Sequence, residues 1–182
     1  MSDPIEIRIH GRGGQGTVTL AALIVDAAFR AGWWPLGFPS FGTERTGAPV
    51  SAFVRLDKSP VRDRSEVRSP SVVVVQDPTL IHVVDVMAGA TNATLIVNAR
   101  SVPAGLPPGT VVVAASSIAM QRLGRPITST AMLGAFAGAT GLVGIDAVTA
   151  AIESRFAGDV GARNVAVARE AFDSVAVAEA IV

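Results

Sequence analysis

Uniformly apolar runs and two alternating runs dominate the hydrophobic pattern of this chain. Residues 5–10 and residues 48–56 alternate between apolar and other side chains, which predicts two strands. Val/Ile-rich runs bounded by proline, glycine, serine or asparagine are typical of parallel strands that are buried on both faces. They occupy residues 71–76, 94–98 and 110–115.

Helical patterns fill most of the remaining chain and are concentrated in its second half. They predict helices over residues 17–30, 78–87, 117–123, about 128–143, 145–156 and 161–180. Strands that alternate with helices predict an α/β fold, here a Rossmann-like three-layer domain with a mostly parallel sheet. The last helices should cover one flank of the sheet. Because no linker or repeat interrupts the pattern, residues 1–182 are expected to form a single domain.

Composition and charge argue against several classes of function. Fifteen basic and fifteen acidic side chains cancel, which argues against binding to a nucleic-acid backbone. The chain contains no cysteine, so it has no disulfide and no thiolate ligand for an iron–sulfur cluster, and no metal-ligand spacing is present. The longest apolar stretch, residues 131–145, is shorter than the ~20 residues that a membrane span requires. With no signal-peptide pattern at the start, a cytoplasmic protein without membrane contact is expected.

A glycine-rich loop joins the first predicted strand to the first predicted helix. Its glycines fit G-x-G-x-x-G, which permits a tight turn and a close approach of the backbone to a phosphate at the helix N-terminus. A loop that merely packs the helix on the strand would not need a cation and an amide beside the glycines. We therefore expect it to bind an anionic ligand or a partner chain. The candidate cofactor-binding residues are Gly11, Arg12, Gly13, Gly14, Gln15 and Gly16.

Two familiar nucleotide sites fit this loop poorly. A dinucleotide site needs an acidic residue about 20 positions further on to bind the ribose, and residues 33–38 contain none. A Walker A loop would continue with Gly-Lys-Ser/Thr, which is absent. A stand-alone NAD(P)-dependent oxidoreductase remains the alternative function.

A second unusual segment, residues 38–49, crowds aromatic, proline, glycine and charged residues together, which is typical of a recognition loop. The alternative is an exposed Glu44–Arg45 ion pair of little consequence. The candidate cofactor-binding residues here are Gly42, Thr43, Glu44 and Arg45.

Four other polar residues carry both a functional and a structural interpretation. Asp77 and Asn98 each end a predicted strand, where open α/β sheets bind ligands, but capping or turn formation explains them equally well. His10 and His82 have no matching acid or nucleophile by spacing, which favours structural roles. No catalytic residue is predicted.

Together, the motifs at residues 10–16 and 38–49 resemble the gamma subunit, or gamma domain, of the 2-oxoacid:acceptor oxidoreductases, in particular the pyruvate:ferredoxin branch. The resemblance continues through residues 60–62, 74–78 and 96–98 into residues 133–135 and so covers most of the chain.

This resemblance implies a non-catalytic subunit of a complex that oxidatively decarboxylates a 2-oxoacid, with pyruvate expected, to an acyl-CoA and passes electrons to ferredoxin. It implies thiamine diphosphate between alpha and beta subunits, iron–sulfur clusters on beta and delta subunits, and coenzyme A at or near the gamma subunit. The isolated chain should bind no cofactor and be inactive. Four aromatic residues then serve either as an interface with partner subunits or as core: Trp33, Trp34, Phe38 and Phe41.

Overall fold

The protein is described by a computed structural model that covers residues 3–40 and 46–179, with side chains described up to residue 175. Six strands form one mixed sheet in the order β2-β3-β1-β4-β5-β6. Their bounds are β1 (Ile5–Arg12), β2 (Trp34–Pro39), β3 (Pro49–Asp57), β4 (Val72–Val75), β5 (Thr94–Asn98) and β6 (Val111–Val113). Strands β1, β4, β5 and β6 run parallel, and β3 runs antiparallel to both β1 and β2.

Five α-helices pack on one face of this sheet and share its main hydrophobic core. They are α1 (Thr17–Arg30), α2 (Ala115–Leu123), α3 (Ser129–Thr140), α4 (Ile145–Arg155) and α5 (Gly158–Glu179). The predicted mostly parallel Rossmann-like α/β fold and its helix-rich second half are confirmed. The described helices include none long and apolar enough to cross a membrane.

Close packing of α3 against α5 explains the glycines in the apolar segment of the second half. A Cβ atom added at Gly138 would lie 2.9 Å from the carbonyl oxygen of Phe172, and one added at Gly134 would collide with the backbone of Ala168. The small residues therefore let two helix backbones approach inside the domain.

Strand β2 was not predicted, because Pro35, Gly37 and Pro39 interrupt any strand pattern. It lies at the sheet edge, where prolines are tolerated. The Ser40 N–H donates to Ser51 O in β3 at 2.9 Å, so the backbone of even-numbered residues faces β3 and both prolines face outward. The outer edge therefore lacks two of the donors that another strand would need.

The second face of the sheet has an apolar half and a polar half. Its apolar half, on β4 and β5, packs under a 3-10 helix, Pro78–His82, and the residues that follow it. The polar half carries Arg8 and His10 on β1 and Arg55 on β3, all buried. Arg55 donates to the carbonyl oxygens of Asp63 and Ser65, which fixes the connection after β3 over this half.

The predicted helix over residues 78–87 is wrong beyond its first turn. Asp77 caps the start of the 3-10 helix, but Asp85 accepts a hydrogen bond from Met87 N at 3.1 Å and so favours a turn. Such short side-chain-to-backbone bonds compete with helix propagation.

Candidate functional site

The glycine loop lies at the carboxyl edge of the parallel strands, where β1 ends and α1 begins. Gly14 and Gly16 have φ angles of 92° and 81°, a conformation that glycine adopts at little cost. A Cβ atom at Gly11 would collide with Thr17 Oγ1 and lie 2.9 Å from Gln76 Oε1. The motif therefore needs glycine for a left-handed turn at two positions and for close packing at a third.

Hydrogen bonds join the glycine loop to the end of the second sequence motif. The Gly13 N–H donates to Ala48 O at 2.9 Å, and the Gly47 N–H donates back to Gly13 O at 3.1 Å. Arg12 adds a bond from Nη1 to Gly47 O at 2.9 Å. Two motifs about 30 residues apart thus meet at one sheet edge. The candidates Gly42, Thr43, Glu44 and Arg45 lie outside the described residues.

The side chains of Arg12 and Gln15 bond within the chain. Arg12 Nε donates to Asp77 Oδ2 at 3.0 Å, and its Nη2 donates to Thr79 Oγ1 at 2.7 Å. Gln15 Nε2 donates to the same Asp77 oxygen at 2.9 Å, while its Oε1 accepts from the Arg12 N–H at 2.8 Å. Both residues therefore support the shape of the loop.

Backbone donors remain open at the start of α1. The N–H groups of Gly13 and Gln15 are already bonded, whereas those of Gly14 and Gly16 have no partner within residues 3–40 and 46–179. Among the described residues no side chain caps this helix, whose N-terminus carries the positive end of its dipole. No described atom lies within 4 Å of a Cβ atom added at Gly14. With respect to the described residues, these donors are therefore available to an anion.

Two buried side-chain atoms beneath the loop lack a hydrogen-bond partner in the described part of the chain: Thr17 Oγ1 and Gln76 Oε1. Both approach Gly11 from the interior. Gln76 is held on its other side by a bond from its Nε2 to Thr128 Oγ1 at 3.3 Å. The base of the loop is thus polar and closely packed.

Comparison with known proteins decides the family. The model of the family described as pyruvate ferredoxin/flavodoxin oxidoreductase matches residues 6–174. The chain belongs to this family.

Two relatives agree with the fold and with the gamma type. The Pyrococcus abyssi pyruvate/ketoisovalerate oxidoreductases common subunit gamma is 46% identical and covers 96% of this chain and 99% of its own. Pyruvate oxidoreductase subunit PORC from Thermotoga maritima is 34% identical, with a TM-score of 0.82 over 94% of this chain and 97% of its own. The predicted resemblance to gamma subunits is confirmed.

A more distant structure shares the fold alone. It is the 2-oxoglutarate:ferredoxin oxidoreductase from Magnetococcus marinus, solved with 2-oxoglutarate, coenzyme A and succinyl-CoA bound. It is 17% identical and superposes with a TM-score of 0.75 over 98% of this chain and 32% of its own.

The strand order of this family member gives no support to the dinucleotide alternative. In this sheet the antiparallel strand β3 separates β1 from β2, so β2 does not lie beside the glycine loop. Strand β2 also ends at Pro39 without an acidic residue.

Of the two polar residues at strand ends, one faces the loop and one does not. Asp77 caps the 3-10 helix, as the structural interpretation predicted, and it also contacts Arg12 and Gln15 of the loop. Asn98 instead accepts from the Ser116 N–H at 3.1 Å and donates to Gln76 O at 2.8 Å. Asn98 therefore fixes the start of α2 against β4.

His10 has structural partners, as its spacing predicted. Its Nε2 accepts from Arg8 Nε at 3.2 Å, and its Nδ1 lies 3.4 Å from Ser51 Oγ. Burial first, and then the charge of Arg8, lowers the pKa of His10 to about 4. The ring is therefore neutral at pH 7. His82 is exposed at the end of the 3-10 helix.

Asp77 is a group in the loop's surroundings whose pKa is shifted. Burial alone would raise the pKa of this carboxyl, but hydrogen bonds from Thr79 and Gln15 and the charge of Arg12 bring it below its usual value. Asp77 is thus a carboxylate near neutral pH. Among the described residues, no group of three or more acidic, histidine or cysteine side chains could hold a metal ion.

Proposed function

We propose that this chain is the gamma subunit of a 2-oxoacid:ferredoxin oxidoreductase that converts a 2-oxoacid, with pyruvate expected, to an acyl-CoA. The names of its full-length relatives support this. Because the chain contains no cysteine, the iron–sulfur clusters belong to other subunits. We assign thiamine diphosphate to the alpha and beta subunits and the clusters to beta and delta subunits, from which ferredoxin accepts electrons. Residues 1–182 are taken as one gamma domain, and the cytoplasmic location stays a prediction.

The joined motifs carry our proposal that the subunit contacts coenzyme A. Two segments that are distant in sequence are bonded together at a helix N-terminus, beside N–H groups that have no partner among the described residues. The ligand we expect there is anionic, and the phosphates of coenzyme A provide such groups. We assign contacts to the N–H groups of Gly14 and Gly16, with Arg12 and Arg45 supplying positive charge.

The edge of the sheet beside α1 is our candidate surface for another subunit. Val18, Phe29 and Trp34 are 45%, 66% and 51% exposed, and an apolar groove of about 220 Å³ runs between α1 and β2. The outward prolines of β2 disfavour an added strand. The surface therefore suits an apolar helix or loop of a partner subunit.

The decisive experiment uses the purified complex with Arg12→Ala and Arg45→Ala. A charge-assisted contact is worth on the order of 1.5–3 kcal/mol, so the KM for coenzyme A should rise roughly tenfold or more. The KM for the 2-oxoacid should stay nearly unchanged. Arg155→Ala, at the exposed end of α4, is the matched control for loss of one surface arginine.

Unaltered coenzyme A kinetics in both variants would limit these residues to a structural role. A separate assay addresses the subunit assignment itself. The isolated chain should turn over no 2-oxoacid, and turnover by the pure chain without cofactors would contradict the assignment.

A further inference from the structure

The carboxylate of Asp77 is the common acceptor of the two non-glycine side chains of the loop. Its Oδ2 accepts from Arg12 Nε at 3.0 Å and from Gln15 Nε2 at 2.9 Å. Its Oδ1 accepts from the N–H of Thr79 at 3.0 Å and from its hydroxyl at 2.7 Å. The two oxygens thus serve different partners, one set in the loop and one in the 3-10 helix.

The contacts of Asp77 span the loop from Arg12 to Gln15. Gln15 bonds Asp77 with its amide nitrogen and the Arg12 N–H with its amide oxygen, which closes the turn across Gly13 and Gly14. Arg12 extends from Asp77 to Gly47 O, in the second motif. A single carboxylate therefore ties the loop and the end of the second motif to the carboxyl end of β4.

We propose that Asp77 is a positioning residue that holds the glycine loop and the adjoining residues Gly47 and Ala48 in the arrangement that receives the phosphates of coenzyme A. This proposal rests on the proposed function. Asp77 itself, as an anion, does not contact the ligand. It fixes Arg12 and Gln15, and through them the peptide groups of Gly14 and Gly16.

The two oxygens of Asp77 allow its role in positioning the loop to be tested separately from its role as a helix cap. Asparagine is a good capping residue and keeps an oxygen for the Thr79 N–H. In Asp77→Asn the second oxygen is replaced by an NH₂ group, which cannot accept from Arg12 or Gln15. The variant therefore retains the cap and loses the attachment of the loop.

The matched control is Asp85→Asn. Asp85 also accepts a bond from the N–H two residues further on, at 3.1 Å, but it is exposed and has no bond to the glycine loop. The two variants make the same chemical change in similar local turns, so the difference between them reports the contacts with Arg12 and Gln15.

Both variants are tested in the whole purified complex by steady-state kinetics and by hydrogen exchange of the peptides that contain residues 11–19. For Asp77→Asn we expect roughly a tenfold rise in the KM for coenzyme A, with kcat and the KM for the 2-oxoacid within about twofold of wild type. Exchange in residues 11–19 should become faster, and the melting temperature should stay close to that of wild type. Asp85→Asn should change neither the kinetic constants nor the exchange in residues 11–19, although losing the charge near Arg8 should lower the melting temperature slightly.

Arg45→Ala, measured in parallel, separates the proposal that coenzyme A binds at the loop from the proposal that Asp77 positions the loop. If it raises the KM for coenzyme A while Asp77→Asn does not, the proposed function stands and Asp77 only caps the 3-10 helix. If neither variant changes that KM, coenzyme A does not bind here and both proposals fail. Unchanged hydrogen exchange in Asp77→Asn would also overturn the positioning role.

Discussion

Two arginines of β1, four residues apart, have different surroundings and different hydrogen-bond partners. Arg8 is 8% exposed and donates to three backbone carbonyls and to His10, with no carboxylate in hydrogen-bond contact among the described residues. Its carbonyl partners are Val67, Val86 and Ala88. The side chain of Arg12 is 26% exposed and bonds a carboxylate, a hydroxyl and one carbonyl at the sheet edge.

The comparison of Arg8 with Arg12 shows that burial determines what an arginine does in this protein. Arg8 cannot regain water if a partner is lost, so its contacts hold two connections onto the polar half of the sheet. Burial lowers its pKa, and the nearby charge of Asp85 opposes that effect. Arg12 remains close to solvent and to the open N–H groups. Arg8 should therefore determine stability, and Arg12 should determine ligand binding.

The largest expected effect is that of Arg8→Leu. The substitution leaves the carbonyls of the buried residues Val67 and Val86 and of the exposed residue Ala88 without their donor, at a cost of ~1–3 kcal/mol for each buried group that is left unpaired. We expect about 4 kcal/mol to be lost from the free energy of unfolding, measured by denaturant titration of the purified chain. Arg8→Lys keeps the charge with fewer donors, so its free energy of unfolding should lie between those of wild type and Arg8→Leu. A loss below about 1 kcal/mol in Arg8→Leu would contradict the structural role of Arg8.

His10, the partner of Arg8, should make stability depend on pH. Its pKa is about 4 when folded, lowered from 6.5. The unfolded chain therefore binds the proton more readily, and stability should fall as the pH drops from about 6.5 to 4, by on the order of 3 kcal/mol. The free energy of unfolding, measured across this pH range, should depend less on pH in His10→Gln than in wild type. An equal slope in the variant would assign the pH dependence to other groups.

Two adjacent tryptophans, one partly buried and one exposed, show a similar contrast. Trp33 packs against the core and donates from Nε1 to Leu142 O at 2.9 Å, whereas Trp34 is 51% exposed. Trp33→Ala should lower the free energy of unfolding by about 3 kcal/mol. Trp34→Ala should leave it unchanged and weaken association with partner subunits by about 2 kcal/mol, measured by binding titration. Equal effects of both variants on unfolding would remove Trp34 from the interface.

Arg12→Leu should have only a small effect on stability. Because its ion pair with Asp77 is partly exposed, its loss should cost about 1 kcal/mol or less of unfolding free energy. The KM for coenzyme A should nevertheless rise, as for Arg12→Ala. A stability loss as large as that of Arg8→Leu would erase the distinction between the two arginines.

Several parts of the fold could be predicted because their signals are local. Helix α1 has the predicted bounds, since its apolar pattern and glycine-rich start need no distant partner. Strand β5 also matches its predicted run. Strand β2 could not be predicted, because its two prolines are compatible with a strand only at an edge, and edge position is a property of the assembled sheet.

In the candidate site, too, the local residue patterns could be predicted and the contacts between distant segments could not. The phosphate-type glycine loop and the second motif were visible as residue patterns, but the bonds between Gly13 and residues 47–48 were not. Arg12 and Gln15 were recognised as unusual side chains, and the role of Asp77 as their shared acceptor was missed, although its place at a strand end was noted. The exposed edge at Val18 and Phe29 was also missed, since an amphipathic pattern does not show which residues a neighbouring strand covers.

By itself, the sequence determined the class of fold, the glycine loop and the family, because strand runs, helix periods and two specific motifs are short-range features. The tertiary structure alone decided which polar groups are paired and which remain open. Arg8 and Arg12 are the same residue type on one strand, and the sequence does not distinguish them. Their different roles come from loops contributed by distant residues, which bury one guanidinium among carbonyls and leave the other beside a carboxylate and open backbone donors.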